Sequence, residues 1–219
     1  MEQQPDFKKA YLLANEMLIA SRYIKSFPFN VDKFIQNETD LTLCSYKKAY
    51  EKIGLDCYAL GSHSALFAKL GGKNILFFNQ DDTLARDSFN KLHETGHFLL
   101  GHNESDSNVD VSYSNKEVET NWFAAQMLMP LQILQEVQKR FYKIDEAFLM
   151  KYFGVSEFAA KLRLKTMRGR LFLTQEEKMF DDIILQKFSA FIDQIAPKKL
   201  DYSYSCWDDP IQKERDTWQ

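Results

Sequence analysis

Cysteine is scarce in this chain. Its 219 residues hold three, Cys44, Cys57 and Cys206, odd in number and without any Cys-x-x-Cys spacing, which argues against a disulfide framework and for reduced thiols in a cytosol. Long apolar runs are missing as well. No segment approaches the roughly 20 residues needed to span a bilayer, and Asn15 and Glu16 interrupt the one early apolar stretch. The polar, acidic opening from Met1 to Asp6 is unlike a signal peptide, so the expectation is a cytoplasmic protein with no membrane partner. A net charge of -3 leaves no global pull towards nucleic acid. The 45% share of hydrophobic residues is enough to bury a sizeable core, as one large domain or a compact two-part structure.

Histidine is rare too, with four in all, and two of them stand in His93-Glu94-Thr95-Gly96-His97. On an α-helix positions i and i+4 lie on one face, so both imidazoles can grip one Zn²⁺ while Glu94 stands beside it. Three protein ligands would leave a fourth position for water, and the neighbouring carboxylate could take that water's proton and deliver it to a leaving amine. The surroundings read as a helix: Asp82 or Thr83 can cap its start, Leu84, Leu92, Leu99 and Leu100 give an apolar stripe, and Gly101 supplies a stop. Phe89, His93 and His97 share one side. Gly96 costs this helix about 1 kcal/mol against alanine, which implies that something packs closely there. The competing reading is a surface helix with two solvated histidines, disfavoured by the apolar residues on both sides of the pair.

A third ligand should follow from the next helix, Glu117 to Pro130. Glu117 and Asn121 are again i and i+4, so one can bind metal while the other orients a ligand histidine. Against this, Ser114-Asn115-Lys116-Glu117 fits a capping box, which would engage the same carboxylate at a helix start. Glu119, roughly 160° from Asn121 around the helix, is the fallback ligand. His102 is one residue out of register with the metzincin pattern and reads as a helix C-terminal residue favoured by the dipole when protonated, with a role near the site as the alternative. His63 reads as a loop histidine. Tyr113, in the polar stretch from Gly101 to Asn115, is a candidate oxyanion donor, with docking on the core as the simpler account.

These residues resemble the ImmA/IrrE-type metallopeptidases, gluzincin-like enzymes often encoded beside helix-turn-helix repressors in mobile elements. The likeness rests on the strand-like Asn74-Ile75-Leu76-Phe77-Phe78-Asn79, on Phe89 to Leu100 with its His-Glu-x-x-His, on the run from Glu117 to Leu128-Met129-Pro130, and more weakly on Phe153-Gly154-Val155-Ser156 followed by Arg163-Leu164. The resemblance implies Zn²⁺ held by His93, His97 and Glu117, with Glu94 as general base. It implies a zinc endopeptidase that cleaves a helix-turn-helix repressor or antitoxin and so relieves repression. Thr95 and Thr120 depart from the usual aliphatic residue and alanine, neither at a ligand position.

The expected fold is α+β: a zincin-like core, mostly helical with a small antiparallel or mixed sheet, followed by a helical C-terminal part. Residues 1–130 form the core, 131–196 a helical region and 197–219 an aromatic and charged tail. Helical periodicity covers Phe7 to Ser26, Val31 to Ile35 and Tyr46 to Ile53, with a strand at Leu41 to Cys44 and a hairpin around Gly71-Gly72. Such a sheet could pair its edge with extended substrate. Ile144 to Tyr152 and Ser156 to Met167 resemble a helix-turn-helix, and Lys161, Arg163, Lys165, Arg168 and Arg170 make the second helix basic. This raises two alternatives: a DNA-binding regulator with a structural zinc, or an adaptor that grips a repressor without cutting it. Thr174 to Ile195 reads as one last long helix. The oligomeric state leaves no mark in the sequence.

Overall fold

The computed structural model describes residues 4–58, 64–102, 111–168 and 175–198, and at 111–114, 168 and 175–178 the backbone alone. In chain order these residues form α1 (Phe7–Ala20), α2 (Val31–Glu38), β1 (Leu41–Ser45), α3 (Tyr46–Ile53), β2 (Ala65–Leu70), β3 (Lys73–Phe78), α4 (Leu84–Leu100) and α5 (Val111–Leu128). They continue as α6 (Leu131–Lys139), α7 (Glu146–Phe153), α8 (Glu157–Arg168), α9 (Gln175–Lys187) and α10 (Ser189–Ile195). The fold is the expected α+β type, mostly helical around a small mixed sheet. No described helix is long and apolar enough to cross a membrane.

The sheet is ordered β1-β3-β2. Gly71 and Gly72 both take positive φ, 58° and 77°, as a two-residue hairpin turn with the strands' own twist requires, and this sets Phe67 of β2 opposite Leu76 of β3. β1 runs parallel to β3, with Leu43 opposite Leu76; the path between them through α3 and β2 is long enough for parallel pairing. Leu76 and Phe77 on the central strand are buried, and β2 lies at the sheet's edge against α4.

Helix α1 presents Ala10, Ala14 and Leu18 as a buried stripe behind the N-cap Asp6, whose carboxylate accepts from the Lys9 amide at 2.9 Å. It stops at Ala20, short of the expected Ser26. The Ser21 hydroxyl accepts from the amides of Tyr23 and Ile24, a local turn that competes with helix continuation. The freed carbonyls of Ile19 and Ser21 take the Lys187 ammonium of α9 at 3.2 and 2.6 Å. The last expected helix is divided at Phe188. The bend lets Phe188 and Phe191 both meet Phe27, with ring centroids 5.0 and 5.4 Å away, so tertiary packing outweighs local propensity.

Two buried cations fix the long helices. Lys91 of α4 is 2% exposed, 2.7 Å from both Asp32 of α2 and Asp87, and lies over the Phe78 ring. Arg163 of α8, equally buried, donates to the Met129 carbonyl at 2.9 Å and to the Gln126 side chain, capping the end of α5 where Pro130 has no amide to offer. One apolar core draws on Ala14 of α1, Phe123 and Met127 of α5, Leu149 of α7 and Ile192 of α10, on both sides of position 130.

Candidate metal centre

Helix α4 runs from the N-cap Thr83, whose side chain makes no capping bond, to Gly101 in the left-handed conformation at φ 73°. Its closest neighbour is α5, and Gly96 is the reason the two can approach. A Cβ at that position would stand 3.0 Å from a Phe123 ring carbon and 3.3 Å from the Thr120 methyl, so the glycine inferred from sequence as a packing residue opens the contact that brings Glu117 over the histidine pair. Thr95 and Thr120 tie their hydroxyls back to the carbonyls of Lys91 and Lys116, at 2.7 and 3.0 Å.

Four residues expected to act together are brought together. Nε2 of His93 lies 3.2 Å and Nε2 of His97 3.1 Å from the two oxygens of Glu117, and the two Nε2 atoms are 3.1 Å apart. A tetrahedral zinc ion with bonds of about 2.0–2.1 Å would hold its ligand atoms roughly 3.3–3.4 Å apart, close to this spacing. The outer nitrogens are engaged elsewhere. Nδ1 of His93 donates to Oδ1 of Asn121 at 3.1 Å, which makes the Nε2 lone pair available to an ion in the cluster. His97 Nδ1 is 3.3 Å from Nδ1 of His102. Two imidazoles and one carboxylate, oriented by second partners, fit a divalent ion of zinc's type. Among the described residues they form the one group of three or more such side chains with converging donors.

Electrostatics within the group follow from burial and proximity. Burial pulls the His93 pKa down, but the Glu117 hydrogen bond, the charges of Glu94 and Glu117 and the Asn121 contact together outweigh it and leave it raised. Glu117 is held well below the usual carboxylate range, first by its bonds to His93 and His97. Glu94 is pushed up by burial, against the histidines and one backbone donor. That donor is the Phe67 amide, 3.0 Å from Oε2 of Glu94. The N–H therefore points out of the sheet from edge strand β2, and Glu94 sits between that edge and the histidines.

The capping-box reading of Glu117 is overturned. Helix α5 already starts at Val111, so Ser114 lies inside it and Glu117 stands well past its first turn. Glu119, the fallback ligand, is not in the cluster: its Oε2 accepts from Nε2 of His102 at 2.9 Å and its Oε1 from the Asp6 amide at 2.7 Å. His102 follows the end of α4 as expected, its amide donating to the His97 carbonyl at 3.0 Å, but the side chain turns inward. It is 7% exposed and packed against His97, a placement that no sequence spacing announces. Burial lowers its pKa, with Glu119 opposing. His63 and the Tyr113 side chain lie outside the described residues.

Beside Asn121 a half-open cavity of about 760 Å³ lies between α4, α5 and α8, lined by Phe89, Val118, Trp122 and Leu162 among others. The expected pair α7 and α8 is joined through Gly154-Val155-Ser156, but its basic face is thinner than the sequence implied. Arg163 is buried and Lys161 is paired with Glu157; the Arg168 side chain and Arg170 lie outside the described residues.

A family model described as the IrrE N-terminal-like domain, of the M78 peptidases, matches residues 52–165, just over half of the chain and all of the cluster. No curated protein matches the chain.

Proposed function

This chain belongs to the IrrE N-terminal-like family of M78 metallopeptidases, and we propose that it is a zinc endopeptidase acting on a helix-turn-helix repressor or antitoxin of a mobile element. The observation that carries the reading is the convergence of His93, His97 and Glu117 on one point, with Glu94 beside them, bonded to edge strand β2. His93, His97 and Glu117 would hold the ion, the two imidazoles through Nε2. Zinc, when bound, supplies a Lewis acid for the scissile carbonyl and makes water acidic enough to attack near neutral pH.

Every other part falls to the chain's own side chains. Glu94 takes the proton of the attacking water and passes it to the leaving amine. Burial raises its pKa, which brings it nearer the working range of a general base that must also act as an acid. The Phe67 amide fixes one carboxylate oxygen and so aims the other. An extended polypeptide would run along edge strand β2 beside Glu94, which favours recognition of main chain over sequence. The apolar cavity beside Asn121 offers room for hydrophobic side chains next to the cut. The choice of a repressor or antitoxin as substrate rests on the resemblance to the ImmA/IrrE enzymes.

Co-incubation of the zinc-loaded chain with helix-turn-helix repressors and antitoxins encoded near its gene tests the proposal. Cleavage by the wild type and its loss in Glu94→Gln, with zinc retained, is the expected result. A Glu94→Gln variant that still cuts would overturn the assignment of the base. Regulation of the repressor by the uncut complex would favour the adaptor alternative.

A further inference from the structure

We propose that His102 and Glu119 are a positioning pair that holds His97 in the tautomer able to bind metal. This deepens the metal reading above and rests on it. A neutral imidazole has one N–H and one lone pair, so a ligand histidine must keep its proton on the nitrogen that faces away from the ion. For His93 the Asn121 oxygen enforces this, because an amide oxygen only accepts. Among the described residues His97 has no such acceptor at Nδ1. Its Nδ1 faces another imidazole, His102, which by itself could accept or donate.

Glu119 resolves the ambiguity. Its carboxylate only accepts, so at 2.9 Å it draws the His102 proton to Nε2 and leaves Nδ1 of His102 as an acceptor. His97 then donates from Nδ1, which frees its Nε2 lone pair for the ion that Glu117 and His93 would share. With the opposite order the Nε2 of His97 would carry a proton where the ion must sit. The pair is enclosed, at 7% and 13% side-chain exposure, so water competes poorly for these bonds. Glu119 is itself held: its second oxygen takes the amide of Asp6, 113 residues away in sequence, where α1 begins. Three elements of the fold, α1, the end of α4 and α5, meet at this one proton assignment.

The test uses the full chain and Zn²⁺ alone, with affinity measured by competition against a chromophoric chelator. His102→Phe keeps the ring's bulk and removes the acceptor, and should weaken zinc binding about 10- to 100-fold. His102→Asn places an amide oxygen near the lost Nδ1 and should restore affinity to within a few-fold of wild type. Equal zinc affinity in His102→Phe and wild type would overturn the proposal, as would equal losses in the Phe and Asn variants. Should the variants fail to fold, nitrogen-15 NMR of the wild type decides: His102 is expected to carry its proton on Nε2 with or without zinc, and His97 on Nδ1 once zinc is bound. A His102 bare at Nε2 rules the pair out. A wild type that takes up no zinc would instead remove the metal reading, while the His102 tautomer still judges the pair.

Discussion

Helices α4 and α8 both carry side chains whose pattern suggests chemistry, His-Glu-x-x-His on one and a basic series on the other, but the fold treats them in opposite ways. On α4 the spacing itself dictates the outcome: i and i+4 share a face, and with Gly96 clearing the way for α5 the imidazoles meet Glu117. On α8 the message was charge content, and charge content says nothing about where each cation goes. Arg163 turns inward to satisfy the carbonyl of Met129 and the Gln126 side chain, while Lys161 stays on the surface with Glu157. A geometric pattern survives folding as a site, whereas a compositional one is divided among packing, pairing and solvent.

The largest effect that would sharpen this contrast is on α4. Glu94→Gln should lower the rate of repressor cleavage by about 10²- to 10⁴-fold with zinc content unchanged, measured by single-turnover assay and metal analysis. Next is α8 in its structural role. Arg163→Met leaves the buried Met129 carbonyl without its donor and the Gln126 oxygen with the Leu131 amide alone, and should lower stability by about 1–3 kcal/mol, read from urea unfolding, with the three proposed ligands untouched. If Arg163→Met folds normally and loses DNA affinity instead, the contrast is broken.

Gly96→Ala comes third. Its methyl meets a ring carbon of Phe123 at 3.0 Å, so the α5 side chains must give by a few tenths of an ångström, at a cost of about 1–2 kcal/mol. Where α5 itself yields, Glu117 moves with it, and zinc affinity should fall along with the melting temperature. The smallest effect belongs to Lys161→Ala, whose pair with Glu157 is exposed to water. Neither stability nor zinc binding should change measurably. Titration of the whole chain with operator DNA should likewise show no steep dependence on salt; a steep slope would return α8 to the site.

The legible parts of the molecule are those where one local rule decides. His93, Glu94 and His97 follow from helical spacing, Asn121 from the same spacing on α5, the hairpin from Gly71-Gly72, and the end of α4 from Gly101. What escaped the sequence depends on partners far along the chain. His102 reaches Glu119 across 17 residues and Glu119 reaches Asp6 across 113, and no periodicity encodes either link. The parallel pairing of β1 with β3 skips over α3 and β2. The break at Phe188 has no proline or glycine to announce it and arises from the ring cluster around Phe27. The capping box misled because its residues fit the motif while the helix had already begun at Val111.

Elemental analysis of the natively purified chain bears most directly on the central claim, that His93, His97 and Glu117 hold a catalytic zinc. The account predicts stoichiometric zinc in the wild type and in Glu94→Gln, and its loss in the double variant His93→Ala with His97→Ala. A wild type that takes up no zinc, or a double variant that keeps it, would contradict the account.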